Sequence, residues 1–298
     1  MTTPQGGMTL HDAARAMGVI FTTDASPEDR EVQVNGINIH YLDWGNDDKP
    51  PMLLLHGRTN SAHTWDFTSL AFHDNFHVIV PDQRGHGDSG WSPDADYGLD
   101  GLVPDIEGFV GVMGLKDVTL VGHSMGGRAA LAYASQNTDL LKALVVLDMA
   151  PQVERDEVDS IAGWRRLPAE TDSFEEFVEA AHNLNPRRTV EQLRGSLAHQ
   201  LRQYESGKWS WKWDPALRQA DTSGWTTERL WDAVSNIKCP VLMVRGGDSG
   251  LISDATIERM KKTVPGTQAL VIEGAGHQVA GDKPALVQQA MRDFFAAI

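Results

Sequence analysis

Ser124 is the residue of this chain best placed to act as a nucleophile. It stands in Gly122-His123-Ser124-Met125-Gly126, between a short apolar strand (Val118, Leu120, Val121) and a helix that begins near Met125. G-x-S-x-G in that setting is the nucleophile-elbow pattern, with the serine at the tip of a sharp turn. The two glycines leave room for strand and helix to pass close together, where a β-carbon would clash. The helix N-terminus aims free N–H groups and a positive dipole end at developing negative charge. A serine hydroxyl is a poor nucleophile at neutral pH, so it needs a base and a pair of donors for the oxyanion. His277 is the base candidate among eleven histidines, because it follows the last strand in the loop Gly274-Ala-Gly-His-Gln278 and can return over the sheet. The donors are expected to be the backbone N–H groups of Met125 and of Arg58, which follows His56-Gly57 at the end of a strand. His56 and His123 are expected to hydrogen-bond locally, and His86, in Arg84-Gly-His-Gly87, is read as structural.

The elements that must position these groups alternate. Val32–Val34 and Ile37–Tyr41 flank Asn35-Gly36, a two-residue hairpin signal. Met52–Leu55, Phe76–Val80, Val118–Val121 and Ala143–Leu147 read as buried strands, with helices predicted over Ser61–Phe72, around Leu102–Val112 and after Ser124. From about Pro151 to Trp231 the strand signal stops. Ser173-x-x-Glu176 and Thr189-x-x-Gln192 each read as a capping box, the second leading a helical stripe of Val190, Leu193, Leu197, Leu201 and Tyr204. Six tryptophans fall in this stretch, including Trp209, Trp211 and Trp213; they suit either a substrate pocket or the segment's own core. The rhythm resumes with Val241–Val244, a helix near Asp254–Lys262, the strand Gln268–Ile272 and a helix from about Pro284 to Phe295. This pattern predicts an α/β protein with a mostly parallel sheet covered on both faces. A helical cap over residues 151–233 would then interrupt a core of residues 31–150 and 234–298, with residues 1–30 as an N-terminal extension.

The landmarks together resemble the α/β-hydrolase fold family. His56-Gly57-Arg58, the run from Pro81 to Ser89 (PDQRGHGDS), the serine elbow and Gly274–His277 match that family's landmarks in order, over about residues 31–298. The resemblance implies an eight-stranded sheet with its second strand antiparallel and a cap domain after strand six. Serine rather than aspartate at the elbow argues against the dehalogenase and epoxide hydrolase branches. It also implies two places for the acid that holds the histidine. After strand seven the family has a pattern like Gly-x-x-Asp; here Ser249 fills that slot and Asp248 falls one residue early. At the end of strand six stands Asp148, in Leu147-Asp-Met-Ala-Pro151, similar to a subgroup of esterases whose acid sits there and whose strand-seven slot holds serine. Both halves of that exchange match, so Asp148 is favoured and Asp248 is the alternative.

The expected activity is hydrolysis of carboxylic esters through an acyl-enzyme. Lactone, amide and carbon–carbon hydrolysis use the same triad and stay open, as does a ligand-binding or receptor protein on a hydrolase scaffold. The formal charge of −15 argues against nucleic acid or an anionic membrane as partner, leaving a small-molecule acyl substrate. The single cysteine, Cys239, and the lack of a basic and apolar start fit a cytoplasmic chain. No His-Glu-x-x-His, Cys-x-x-Cys, Walker A run or dinucleotide fingerprint is present, so no cofactor or metal is expected. The sequence does not indicate an oligomeric state.

Overall fold

Asn35 and Gly36 both take positive φ, 49° and 80°, and turn strand β1 (Glu28–Val34) back onto β2 (Ile37–Asp43). A computed structural model describes residues 8–154, 162–219 and 224–298 of the protein. Its main sheet continues through β3 (Pro51–Leu55), β4 (His77–Pro81), β5 (Val118–His123), β6 (Leu141–Leu147), β10 (Val241–Gly246) and β11 (Gln268–Ile272). The order across the sheet is β1-β2-β4-β3-β5-β6-β10-β11. β2 runs antiparallel to both neighbours, and the other pairs from β4 onward are parallel.

The central strands are continuous apolar runs because both their faces are covered. Alternation then divides each run between two cores. Leu53, Leu55, Leu144 and Val146 pack on one side with Ile106 and Phe109 of α3 (Leu99–Val112) and Ala130 of α4 (Met125–Gln136). Met52, Leu54, Val145 and Leu147 pack on the other with Leu70 and Phe72 of α2 (Asp66–Phe72) and with Phe294 near the C-terminus. Helix α1 (Leu10–Ala16), capped by Thr9, adds the buried Ala14 to this second core, so this part of the N-terminal extension is docked on the protein.

Between β6 and β10 lies a segment with a core of its own, built from Phe174, Phe177, Val178, Leu193, Leu197, Trp211 and Trp213 among others. It contains the two expected helices, Phe174–Leu184 and Val190–Ala198. Thr189 and Gln192 form the full reciprocal box, whereas Ser173 caps Glu176 N–H and donates its own hydroxyl to the Glu176 carboxylate. The segment is not helical throughout. β7 (Glu170–Thr171), β8 (Leu201–Gln203) and β9 (Trp209–Trp211) form an antiparallel sheet of their own. Leu201 and Tyr204 therefore leave the helical stripe: the helix ends at Ala198, Leu201 enters a strand, and Tyr204 opens the turn to Lys208. The alternation in Trp209-Ser-Trp-Lys-Trp213 is the period-two signal that accounts for it. Among the described residues no helix is long and apolar enough to cross a membrane.

Backbone packing makes a sharp contrast between two glycines. A β-carbon on Gly126 would sit 2.6 Å from the His56 carbonyl oxygen, against β3, while one on Gly111, in the exposed last turn of α3, meets nothing within 4 Å. Gly126→Ala is expected to destabilise by about 2 kcal/mol or more, lowering the melting temperature by roughly 5 °C. Gly111→Ala is expected to raise stability by about 0.5–1 kcal/mol. Paired thermal melts check both signs.

Candidate active site

The elbow forms where the central strands end. β5 hands over to α4 at Ser124, whose backbone takes φ 52° and ψ −118°. A non-glycine residue held in that region costs roughly 1–3 kcal/mol, and the surroundings must over-determine it. They do so from both sides. A β-carbon on Gly122 would come within 2.7 Å of Gly127 Cα, so only glycine lets α4 start this close to the strand. Ser124 N–H donates to the Leu147 carbonyl at 3.2 Å, and Ser124 C=O accepts from Arg128 N–H at 2.9 Å.

Asp148 follows β6 immediately and also takes positive φ, 46°. Its carboxylate is fully buried. Burying that charge is tolerable only with several donors, and three converge on it. Gly246 N–H at the end of β10 bonds Oδ1 at 3.0 Å, the Ser249 hydroxyl bonds Oδ2, and His277 Nδ1 lies 2.7 Å from Oδ2. The other ring nitrogen of His277, Nε2, is 2.9 Å from Ser124 Oγ. A carboxylate only accepts, so Nδ1 carries the proton and Nε2 accepts from the serine hydroxyl. Residues separated by up to 153 positions thus form one hydrogen-bonded line. Asp248 stands outside it. Its backbone N–H is taken by Ala275 C=O, which turns Ser249 inward and Asp248 outward. Its side chain, 42% exposed, pairs with Arg187 at 3.2 Å.

The other histidines take supporting places. His56 is buried, with Nδ1 donating to Gly57 C=O at 2.8 Å and Nε2 accepting from Gln83 N–H at 2.9 Å, and burial lowers its pKa. His86 is buried against it; burial, then the neighbouring His56, push its pKa down to about 3. His123 does not bond locally as expected. Its Nε2–H donates to the backbone carbonyl of His277 at 2.8 Å, and burial followed by repulsion from His277 lowers its pKa to about 3. It is a neutral tether for the His277 loop. Nothing in the local sequence could have indicated it, because the partner is 154 residues away. Ser249, noted in the sequence only as the occupant of a slot, proves to be a donor to Asp148.

Ser124, Met125 and Arg58 all line one cavity of about 1590 Å³ between the sheet and the inserted segment. Met125 begins α4, so its N–H has no acceptor within the helix. Arg58 follows the turn at Gly57, where a β-carbon would lie 2.8 Å from His123 Nδ1. Trp164, Trp211 and Trp213 line the cavity, and Trp211 and Trp213 also belong to the inserted core, so these two rings contribute to both. Leu10 and Met17 of the N-terminal region reach the same cavity. Arg128, one turn along α4, donates to Pro151 C=O at 3.3 Å and to Trp225 C=O at 2.9 Å.

This fold and site define a class. The family described as alpha/beta hydrolase fold matches residues 50–284, and the chain belongs to it. Among characterised relatives, the chain is similar to the esterase Rv0045c of Mycobacterium tuberculosis, at 29% identity over 89% of this chain and 88% of the relative. It is 28% identical to a 2-(acetamidomethylene)succinate hydrolase of Mesorhizobium japonicum, over 90% of this chain and 95% of that one. A crystal structure of Rv0045c superposes with a TM-score of 0.77 at 26% identity, covering 96% of both chains.

The two aspartates are separable by measurement. Asp148→Asn is expected to reduce ester turnover by about 10⁴-fold through loss of the productive histidine tautomer. Asp248→Asn, which removes a half-exposed ion pair, is expected to change it by less than about 3-fold. Steady-state kinetics on a p-nitrophenyl ester compare the two directly.

Proposed function

We propose that Ser124, His277 and Asp148 are the catalytic triad of this enzyme, a serine hydrolase acting on carboxylic esters. The observation that carries the assignment is the unbroken line of hydrogen bonds from a buried carboxylate to a hydroxyl at the tip of a strained turn, open to a large cavity. As Ser124 Oγ attacks the ester carbonyl, its proton passes to His277 Nε2. The imidazolium that forms is stabilised by the Asp148 carboxylate, which two further donors hold in place. The oxyanion takes the N–H groups of Met125 and Arg58, with the dipole of α4 behind the first. His277 then protonates the leaving alcohol, and a water deprotonated by the same nitrogen releases the acyl group. The inserted segment acts as the cap that selects the substrate.

The lining of the cavity narrows the substrate. Among the described residues, seven arginines and four acidic residues line it, in a chain whose formal charge is −15. Arg187 and Arg194 are already paired, with Asp248 and Glu175. Arg188 is half-buried; its Nε has no hydrogen-bond partner, its Nη2 donates to Gln192 C=O at 3.4 Å, and Asp282 attracts it electrostatically. Such a wall favours an ester that also carries a carboxylate.

Two experiments test this reading. Ser124→Ala is expected to lose at least about 10⁴-fold in p-nitrophenyl butyrate turnover, and a fluorophosphonate is expected to label wild type at Ser124. Absence of both hydrolysis and labelling in wild type overturns it. Arg188→Gln is expected to lower kcat/KM about 10-fold for a hemiester of a dicarboxylic acid and leave a neutral ester of equal length unchanged. Equal effects on both substrates remove the carboxylate from the proposal.

A further inference from the structure

The same cavity holds a second group of side chains that takes no part in the Ser124–His277–Asp148 line. His63 stands in the turn Ala62–Trp65 after the Arg58 loop, and Asp66 opens α2. His199 closes the inserted helix Val190–Ala198. The three come from opposite sides of the cavity and line it together.

Their geometry suits coordination. His63 Nδ1 is 3.0 Å from Asp66 Oδ2, and the His63 and His199 rings stack with centroids 3.7 Å apart and planes at 27°. One ring nitrogen from each histidine and one carboxylate oxygen lie within 4.8 Å of one another. A tetrahedral nitrogen and oxygen shell with bonds of about 2.0–2.1 Å has edges of roughly 3.3 Å, so the donors already stand near that spacing, and one of the stacked rings must swing to aim its lone pair at the shared ion. The second oxygen of Asp66 is buried and has no hydrogen-bond partner. A buried carboxylate oxygen left unpaired is costly, and a cation beside it removes that cost.

The turn that carries His63 is fixed, since Ala62 N–H donates to the buried Asp82 at 2.6 Å. The other comparable group, His40, Asp82 and Asp88, differs. There both nitrogens of His40 are already engaged by Asp82 and Asp29, and Asp82 also accepts from Ala62 and Asp88 N–H.

We propose that His63, Asp66 and His199 bind one divalent transition-metal ion, Zn²⁺ or a neighbour such as Co²⁺ or Ni²⁺, across the seam between the sheet domain and the inserted segment. Two imidazoles and a carboxylate, with a fourth position open to the cavity, match the ligand preferences of these ions and not those of Ca²⁺ or Mg²⁺. Binding leaves the ion as a cross-link between the two parts of the chain.

The test titrates the chelator-treated full-length protein with CoCl₂ and with ZnCl₂. It follows stoichiometry by equilibrium dialysis, geometry by the visible absorption of Co²⁺, and stability by thermal melting. Wild type is expected to take up one ion per chain with a Kd of about 10 μM or tighter, and to melt at least about 2 °C higher when saturated. His199→Ala and Asp66→Asn are each expected to weaken binding by about 30-fold or more and to abolish the rise in melting temperature. If His199→Ala does not fold, Asp66→Asn, which keeps the side-chain shape, decides alone. A wild-type chain that takes up no stoichiometric ion at about 100 μM overturns the proposal, as does either folded variant binding as tightly as wild type. These readouts require no turnover, so their failure is distinguishable from failure of the hydrolase assignment.

Discussion

The buried carboxylate of Asp148 is the constraint around which this end of the sheet is arranged. An isolated carboxylate at zero exposure would cost far more than the domain can tolerate, so its donors are obligatory. They come from three separate places: the end of β10, the loop after it, and the loop after β11. Satisfying one side chain therefore fixes the relative positions of strand ends brought together from residues 148, 246, 249 and 277. The adjacent elbow is subject to the same local control. Ser124 N–H is held by the carbonyl of Leu147, the residue before Asp148, so two non-glycine residues with positive φ stand at neighbouring strand ends and support each other.

Much of this was legible in the chain because it rests on backbone requirements that only certain residues meet. The glycines of the elbow are there because α4 starts against the carbonyls at the end of β3. Asn35-Gly36 supplies the two positive φ angles of a tight hairpin, and the apolar runs of the central strands mark burial on both faces. The candidate acid was harder to place. Asp148 and Asp248 are both aspartates just past a strand, and only the path of the loop after β10 separates them. A single backbone bond, Asp248 N–H to Ala275 C=O, sets which side chain of that loop faces inward.

What escaped the sequence is of two kinds. Contacts between residues far apart in the chain leave no local trace: His123 to the carbonyl of His277, Arg128 to Pro151 and Trp225, and the stacked pair of His63 and His199. The inserted segment failed differently. Its helical stripe runs without interruption from Val190 to Tyr204, so periodicity alone carries the helix past its true end at Ala198. The short strands Leu201–Gln203 and Trp209–Trp211 win because they pair with each other and bury Trp211 beneath Phe177. Tertiary pairing overrides a local preference that is only weakly expressed.

Arg128 gives the inserted segment an unusual footing. Its guanidinium grips the main chain at Pro151, where the segment departs, and at Trp225, where it returns, and the arginine itself rides on the helix that begins directly after Ser124. Both roots of the segment are thus anchored to the same helix that Ser124 caps. Those two carbonyls therefore tie the base of the segment to the register of Ser124.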